Sequence, residues 1–137
     1  MFKLSIVTPE KPFYEAECRS LVVPGSEGYL GVLTDHAPLL TALVPGEIKA
    51  VEADDARELH FAVSGGFFEV AHNHATVLAD AIEVPGQIDL ARAEASLERA
   101  RRRLAERPAG LDQVRAELAV LRAKNRVALA REAKGRR

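Results

Sequence analysis

The residue pattern predicts an α+β chain, an N-terminal antiparallel β-sandwich followed by a C-terminal two-helix antiparallel hairpin. Three observations carry that expectation. Apolar residues recur at every second position up to about residue 84 and at every third or fourth position from residue 88 onward. Gly, Pro, Asn and Asp punctuate the first part at short intervals, as turns between strands do. The charge also reverses at the same place: residues 1–87 hold 5 Lys/Arg against 13 Asp/Glu, and residues 88–137 hold 14 against 7. A strand domain over 1–84 and a helical domain over 88–137 follow.

Within the first part, Phe2, Leu4 and Ile6 alternate with Lys3 and Ser5 until Thr8-Pro9-Glu10-Lys11-Pro12 breaks the run. Tyr14 to Val23 is a second extended segment, with Ala16, Cys18, Ser20 and Val22 expected on one face. Gly25, Gly28 and Gly31 lack the following helix and the Lys-Ser/Thr of a phosphate loop, so they read as turn or bulge glycines. Beyond Pro45-Gly46, further strands are expected at Glu47–Glu52, Glu58–Val63, Phe67–Ala71 and Ala75–Ala79. Turns at Asp54-Asp55, Gly65-Gly66 and His72-Asn73 connect them. With no Trp and few other aromatics, the core must come from Val, Leu, Ile and Ala.

Glu83-Val84-Pro85-Gly86-Gln87-Ile88-Asp89 forms the junction. Pro-Gly ends a strand, and Asp89 stands where a helix N-cap is wanted. Leu90, Ala93, Leu97, Ala100 and Leu104 then step by three and four to about Glu106. After Pro108-Ala109-Gly110 the pattern resumes to about Lys134, with Leu111, Val114, Leu118, Leu121, Asn125 and Ala128 expected to face the first helix. So many small residues on this seam predict a marginal hairpin, since burial yields only about 0.8 kcal/mol per methylene.

Several function classes find no support. No apolar run approaches the roughly 18 residues of a membrane helix, and Met1-Phe2-Lys3-Leu4-Ser5-Ile6 has no signal-peptide character. Cys18 is the only cysteine, which fits a reducing compartment and excludes an intrachain disulfide. No catalytic elbow, zinc-binding helix or Walker loop occurs. His72 and His74 lack a third ligand, so no metal is expected. The cationic helices carry no Phe, Tyr or Trp on which bases would stack, which argues against nucleic acid.

The arginines are the informative residues. Glu98 can pair with Arg101 or Arg102, but Arg92, Arg122 and Arg126 have no acid at i±3 or i±4 within their own helix. Arg92 also falls in a first turn, where the helix dipole disfavours a cation. If the hairpin closes, these arginines and Asp89 could converge on a polyphosphate, whose oxygens match guanidinium forks.

Gly25-Ser26-Glu27-Gly28-Tyr29-Leu30-Gly31-Val32-Leu33-Thr34-Asp35-His36-Ala37-Pro38-Leu39-Leu40-Thr41, Ser64-Gly65-Gly66-Phe67-Phe68-Glu69-Val70 and Val77-Leu78-Ala79-Asp80 occur here in that order. Together they resemble the epsilon subunits of bacterial F-type ATP synthases, and the likeness runs over essentially the whole chain. It implies a sandwich of about ten strands and a non-catalytic rotor subunit at the cytoplasmic face of the cell membrane, peripheral and without membrane insertion. The implied partners are the gamma subunit, the c subunits of the membrane rotor ring, and the alpha and beta subunits of the catalytic head when the helices extend. It implies that Asp35 and His36 touch the rotor ring. It also implies coupling of proton translocation to ATP synthesis and restraint of ATP hydrolysis by the movable helices. Ile88-Asp89-Leu90-Ala91-Arg92-Ala93 is similar to the family's Ile/Leu-Asp-x-x-Arg-Ala motif for ATP. That likeness assigns ATP binding to Ile88, Asp89, Arg92 and Ala93, with Glu83, Arg99, Arg122 and Arg126 completing the site. ATP is then a regulatory ligand and no cofactor is required. A free-standing nucleotide sensor is the alternative, and co-purification with gamma separates the two.

Overall fold

The computed structural model describes residues 1–136, so Arg137 of the expected helical domain lies outside the described residues. The chain divides into two compact units, Met1–Glu83 and Val84–Arg137. The first contains nine strands among the described residues: β1 (Phe2–Val7), β2 (Pro12–Gly25), β3 (Gly28–Val32), β4 (Leu39–Leu43), β5 (Gly46–Glu52), β6 (Glu58–Val63), β7 (Gly66–Ala71), β8 (His74–Ala79) and β9 (Ile82–Glu83). The pairings form two runs, β2–β1–β8–β7–β4 and β3–β2–β5–β6–β9, joined through the long β2. All pairs are antiparallel except β1–β8, which is parallel. The core between the runs holds Leu4, Ile6, Phe68, Val70 and Val77 from one and Leu21, Val23, Ile48, Phe61 and Val63 from the other.

The strands at 46–79 agree with the alternation to within a residue. Three short strands, β3, β4 and β9, lie outside the expected set, β3 running through glycines read as turn or bulge positions, and the nine strands stand against the expected ten or so. The expected face of β2 is wrong beyond Cys18. Cys18 is buried, but the next core residues are Leu21 and Val23, not Ser20 and Val22. The cause is a register shift against β5: Cys18 pairs with Glu52 and Ser20 with Val51, leaving Arg19 extra. One inserted residue turns every later side chain to the opposite face. The Arg19 guanidinium holds the bulge by donating to the Ala53 carbonyl at 2.6 Å.

Gly25 pairs with Gly28 across Ser26-Glu27, so the glycines close the β2–β3 hairpin. His72 and Asn73, both at positive φ, make the two-residue turn between β7 and β8, as that pair of residue types favours.

Cys18 and Tyr14 give the sandwich a pH limit. Burial pushes the Cys18 thiol up from its ordinary value to about 11, and the Glu52 and Glu17 carboxylates add to the shift. Tyr14 is raised as well, first by burial and then by the bond its hydroxyl donates to Glu52 Oε2 at 2.6 Å. Both groups are neutral when protonated, and the folded state keeps its protons to higher pH than the unfolded chain does. The Cys18 stabilisation is complete below about pH 9 and is lost as pH rises through 9–11, while that of Tyr14 begins to be lost only above its ordinary value of about 10. The urea midpoint is expected to fall between about pH 9 and 11, and Cys18→Ala to blunt that fall. An identical pH slope in the variant would contradict this assignment.

In the second unit a 3₁₀ turn at Pro85–Gln87 leads into α1 (Leu90–Glu106), and α2 (Gln113–Gly135) follows. The first helix begins at Leu90, with Asp89 as its N-cap as its position suggests and Ile88 before it extended. The link to α2 is longer than the expected break at Pro108-Ala109-Gly110: Leu111 N–H donates to Pro108 O in a turn, and Asp112 caps the second helix. On α1 the expected stripe holds, with Ala93 and Leu97 buried. On α2 it does not. Val114 is 75% and Leu121 46% exposed, and the buried stripe is Ala116, Ala123, Val127 and Ala130. Two stripes on nearly opposite faces of α2 share the three-four spacing. The one rich in alanine packs inward, because small side chains let two helix axes approach closely. Glu94 and Arg131 join the helices at 3.2 Å, and Glu98 pairs with Arg102 as expected.

Candidate anion-binding groove of the helical unit

The 3₁₀ turn fixes how the chain enters α1. Pro85 is buried, Ile88 N–H donates to the Pro85 carbonyl at 3.2 Å, and the Ile88 side chain is buried. Asp89 follows with φ −74° and ψ 104°, and its Oδ1 accepts the Arg92 amide at 3.2 Å. This is a regular cap, worth about 1 kcal/mol. It also anchors the backbone of the residue whose guanidinium the site uses.

Arg92 and Arg99, seven positions apart on α1, share one face with Ala95 and Ser96 between them. Arg126 reaches the same place from α2. With Asp89, these residues line a groove of about 550 Å³. Three guanidinium groups and one carboxylate therefore meet in one opening. A triphosphate presents three to four negative charges and many acceptor oxygens, for which guanidinium forks are well suited. The Asp89 oxygen not engaged by the Arg92 amide and the Ser96 hydroxyl offer a polar acceptor and a donor for a sugar or base.

Of the residues expected at the site, Asp89, Arg92, Arg99 and Arg126 come together. Ala93, 1% exposed, lies on the buried seam, where a small side chain keeps α1 and α2 close, and Ile88 is buried at the helix entrance. Arg122 is half-buried one turn before Arg126 and lies outside the groove lining. Glu83 belongs to the first unit, where it closes β9 opposite Ala62. Ala95 and Ser96 line the groove without having been singled out. The signal for Ser96 was available: it stands four residues after Arg92 and three before Arg99, hence on their face.

Asp35 and His36 lie in the first unit, after β3. Asp35 is exposed at φ +59°, and its N–H donates to Asn73 Oδ1 at 2.8 Å. His36 Nδ1 lies 2.7 Å from the Ala37 carbonyl oxygen. Asn73 also donates to the Met1 carbonyl at 2.7 Å, so one amide ties three segments together. Close to Asp35 and His36 in sequence, Tyr29, Leu33 and Leu40 are each more than 60% exposed. These are large apolar side chains left open to solvent, and the alternation pattern alone did not single them out.

Comparison with known proteins gives a consistent result. The family "ATP synthase, Delta/Epsilon chain, beta-sandwich domain" matches residues 1–85, and "ATP synthase, Delta/Epsilon chain, long alpha-helix domain" matches residues 87–134. The chain is 46% identical over 107 residues to an ATP synthase epsilon chain of Moorella thermoacetica, covering 78% of this chain and 79% of that one. It is 43% identical over 104 residues to that of Protochlamydia amoebophila, covering 76% and 70%. Among solved structures, a chain of the Euglena gracilis mitochondrial ATP synthase shares the fold at TM-score 0.75 and 20% identity, covering 96% of this chain and 79% of that one. A chain from the central stalk and c-ring structure of the Tetrahymena thermophila mitochondrial enzyme matches at TM-score 0.56 and 18% identity, covering 96% and 94%.

Proposed function

This chain belongs to the ATP synthase delta/epsilon family, and from that membership we propose that it is a non-catalytic rotor subunit whose helical unit binds ATP and thereby governs restraint of ATP hydrolysis. Its partners in this reading are gamma, the c subunits of the rotor ring, and the alpha and beta subunits when the helices extend. Its place is peripheral, on the cytoplasmic face of the membrane. Asp35 and His36, with exposed Tyr29, Leu33 and Leu40 near them in sequence, supply the ring contact.

The observation that carries the nucleotide part is the groove of Asp89, Arg92, Ser96, Arg99 and Arg126. A ligand held by side chains of both helices favours the state in which the hairpin is closed. At ten times its dissociation constant, such a ligand shifts a two-state balance by about 1.4 kcal/mol. That suffices for a hairpin joined largely through alanines and not for one joined through interlocked leucines. Ile88 and Ala93 set the helix entrance and the helix spacing. Arg122, one turn before Arg126 on α2, adds positive charge on the helical unit.

The test is a pair of fluorescent labels, one on the sandwich and one on α2, followed while ATP is added to the purified chain and to the assembled rotor complex. ATP is expected to bind saturably and to shift the distance distribution toward its shorter component. A distribution that stays the same across saturating ATP removes the regulatory role, leaving only a connector of the stalk.

A further inference from the structure

The second helix opens with the same six-residue pattern as the first. Ile88-Asp89-Leu90-Ala91-Arg92-Ala93 is matched 23 positions later by Leu111-Asp112-Gln113-Val114-Arg115-Ala116. The same offset carries Arg103 onto Arg126. The likeness is structural as well. Asp112 caps α2 as Asp89 caps α1, its Oδ1 accepting the Arg115 amide at 3.1 Å. Ala116 is buried on the seam as Ala93 is. Because the helices run antiparallel, the repeat gives the hairpin an approximate two-fold symmetry. At one end, Asp89 and Arg92 of α1 meet Arg126 of α2. At the other, Asp112 and Arg115 of α2 meet Arg103 of α1, and these residues line a second pocket of about 330 Å³, floored by Ala100, Ala119 and Gly110.

We propose that this second pocket is a binding site for a compact diphosphate group. The attraction is not the helix terminus, whose first-turn amide Asp112 already engages. It is the pair of guanidinium groups, one from each helix. Neither Arg103 nor Arg115 has an ion-pair partner among the described residues. The Asp112 carboxylate balances only one of the two guanidinium charges that line the cavity, so the lining stays net positive, and guanidinium forks match phosphate oxygens. The size sets the class. The pocket has about three-fifths of the first groove's volume, and two arginines line it where three line the first. Ser96 is replaced by Ala119, so the hydroxyl available to a sugar or base is gone. The paired guanidinium donors and the size suit a diphosphate, either as free inorganic pyrophosphate or as the tail of a nucleotide whose nucleoside stays outside. The site stands on its own residues, independently of what occupies the first groove.

The test follows the arginine Nε–H resonances of the full-length chain by NMR while pyrophosphate is added at constant ionic strength. The Arg103 and Arg115 signals are expected to shift saturably. Arg103→Gln or Arg115→Gln should each weaken this binding at least tenfold, with circular dichroism unchanged because both side chains are exposed. Arg92→Gln, at the other end of the hairpin, should leave it intact. A parallel titration with ADP separates the sources: the same shifts identify a nucleotide tail, and their absence identifies the inorganic anion. Non-saturating shifts, shifts that survive both glutamine variants, or loss of the effect in Arg92→Gln would each overturn the proposal. Because Arg92 belongs to the first groove, failure there and failure here are read from different variants.

Discussion

Replacing Arg92 with alanine is expected to weaken ATP binding by roughly 10- to 100-fold while leaving both units folded. A hydrogen bond to a charged group is worth about 1.5–3 kcal/mol, and about 1.4 kcal/mol is a tenfold change in affinity. Arg92 lines the groove and stands in the first turn of α1, with its amide bound to Asp89. Alanine keeps that backbone bond and has the highest helix propensity. It also removes a cation from the positive end of the helix dipole, so α1 should be unchanged or slightly more stable. Affinity and helix stability then move in opposite directions, which a general loss of structure could not produce. Arg92→Lys should recover only part of the affinity, since it restores the charge but not the planar fork. Titration calorimetry of the three chains, alongside their thermal melts, checks this. Equal affinity in native and Arg92→Ala chains would remove Arg92 from the site.

Gly66→Ala is expected to have the largest effect on stability, about 3–5 kcal/mol at the expense of the sandwich. Gly66 begins β7 between Leu43 of β4 and Ala79 of β8, at φ +137°. A Cβ built there would lie 2.0 Å from the Leu78 carbonyl oxygen and 3.1 Å from the Ala79 Cα. Both neighbours are backbone, so no side chain can swing aside. Strain at a disfavoured φ costs about 1–3 kcal/mol, and forcing strands apart costs about 1–3 kcal/mol more. Gly31→Ala is the control, because a Cβ at Gly31 meets nothing within 4 Å. Its effect should stay within about 0.5 kcal/mol, the usual range for a surface change. Urea unfolding followed by near-ultraviolet tyrosine signals reports on the sandwich, where both tyrosines lie. A cost for Gly66→Ala no larger than for Gly31→Ala would contradict the close approach of β7 and β8.

Much of the architecture was legible in the residues. The change of hydrophobic period, the reversal of charge and the Pro-Gly junction mark where strands give way to helices, and Asp89 caps α1 as its position suggests. These features are local: each depends on residues within a turn or a strand of one another. The motif at 88–93 and its echo at 111–116 are also plain in the sequence. What they do depends on the arginines facing them, which the sequence does not place.

The tertiary structure decided the rest, wherever two local solutions were equally good. The Arg19 bulge turns the second half of β2 over, and only pairing with β5 reveals it. On α2, a leucine-bearing stripe and an alanine-bearing stripe share one spacing, and the choice between them rests on how closely α1 can approach. That choice also aims Arg126 into the groove with Arg92 and Arg99 while leaving Arg122 outside its lining. Periodicity determines that a helix has faces. Which face turns inward is a property of its neighbour, because packing depends on the shape of both surfaces at once.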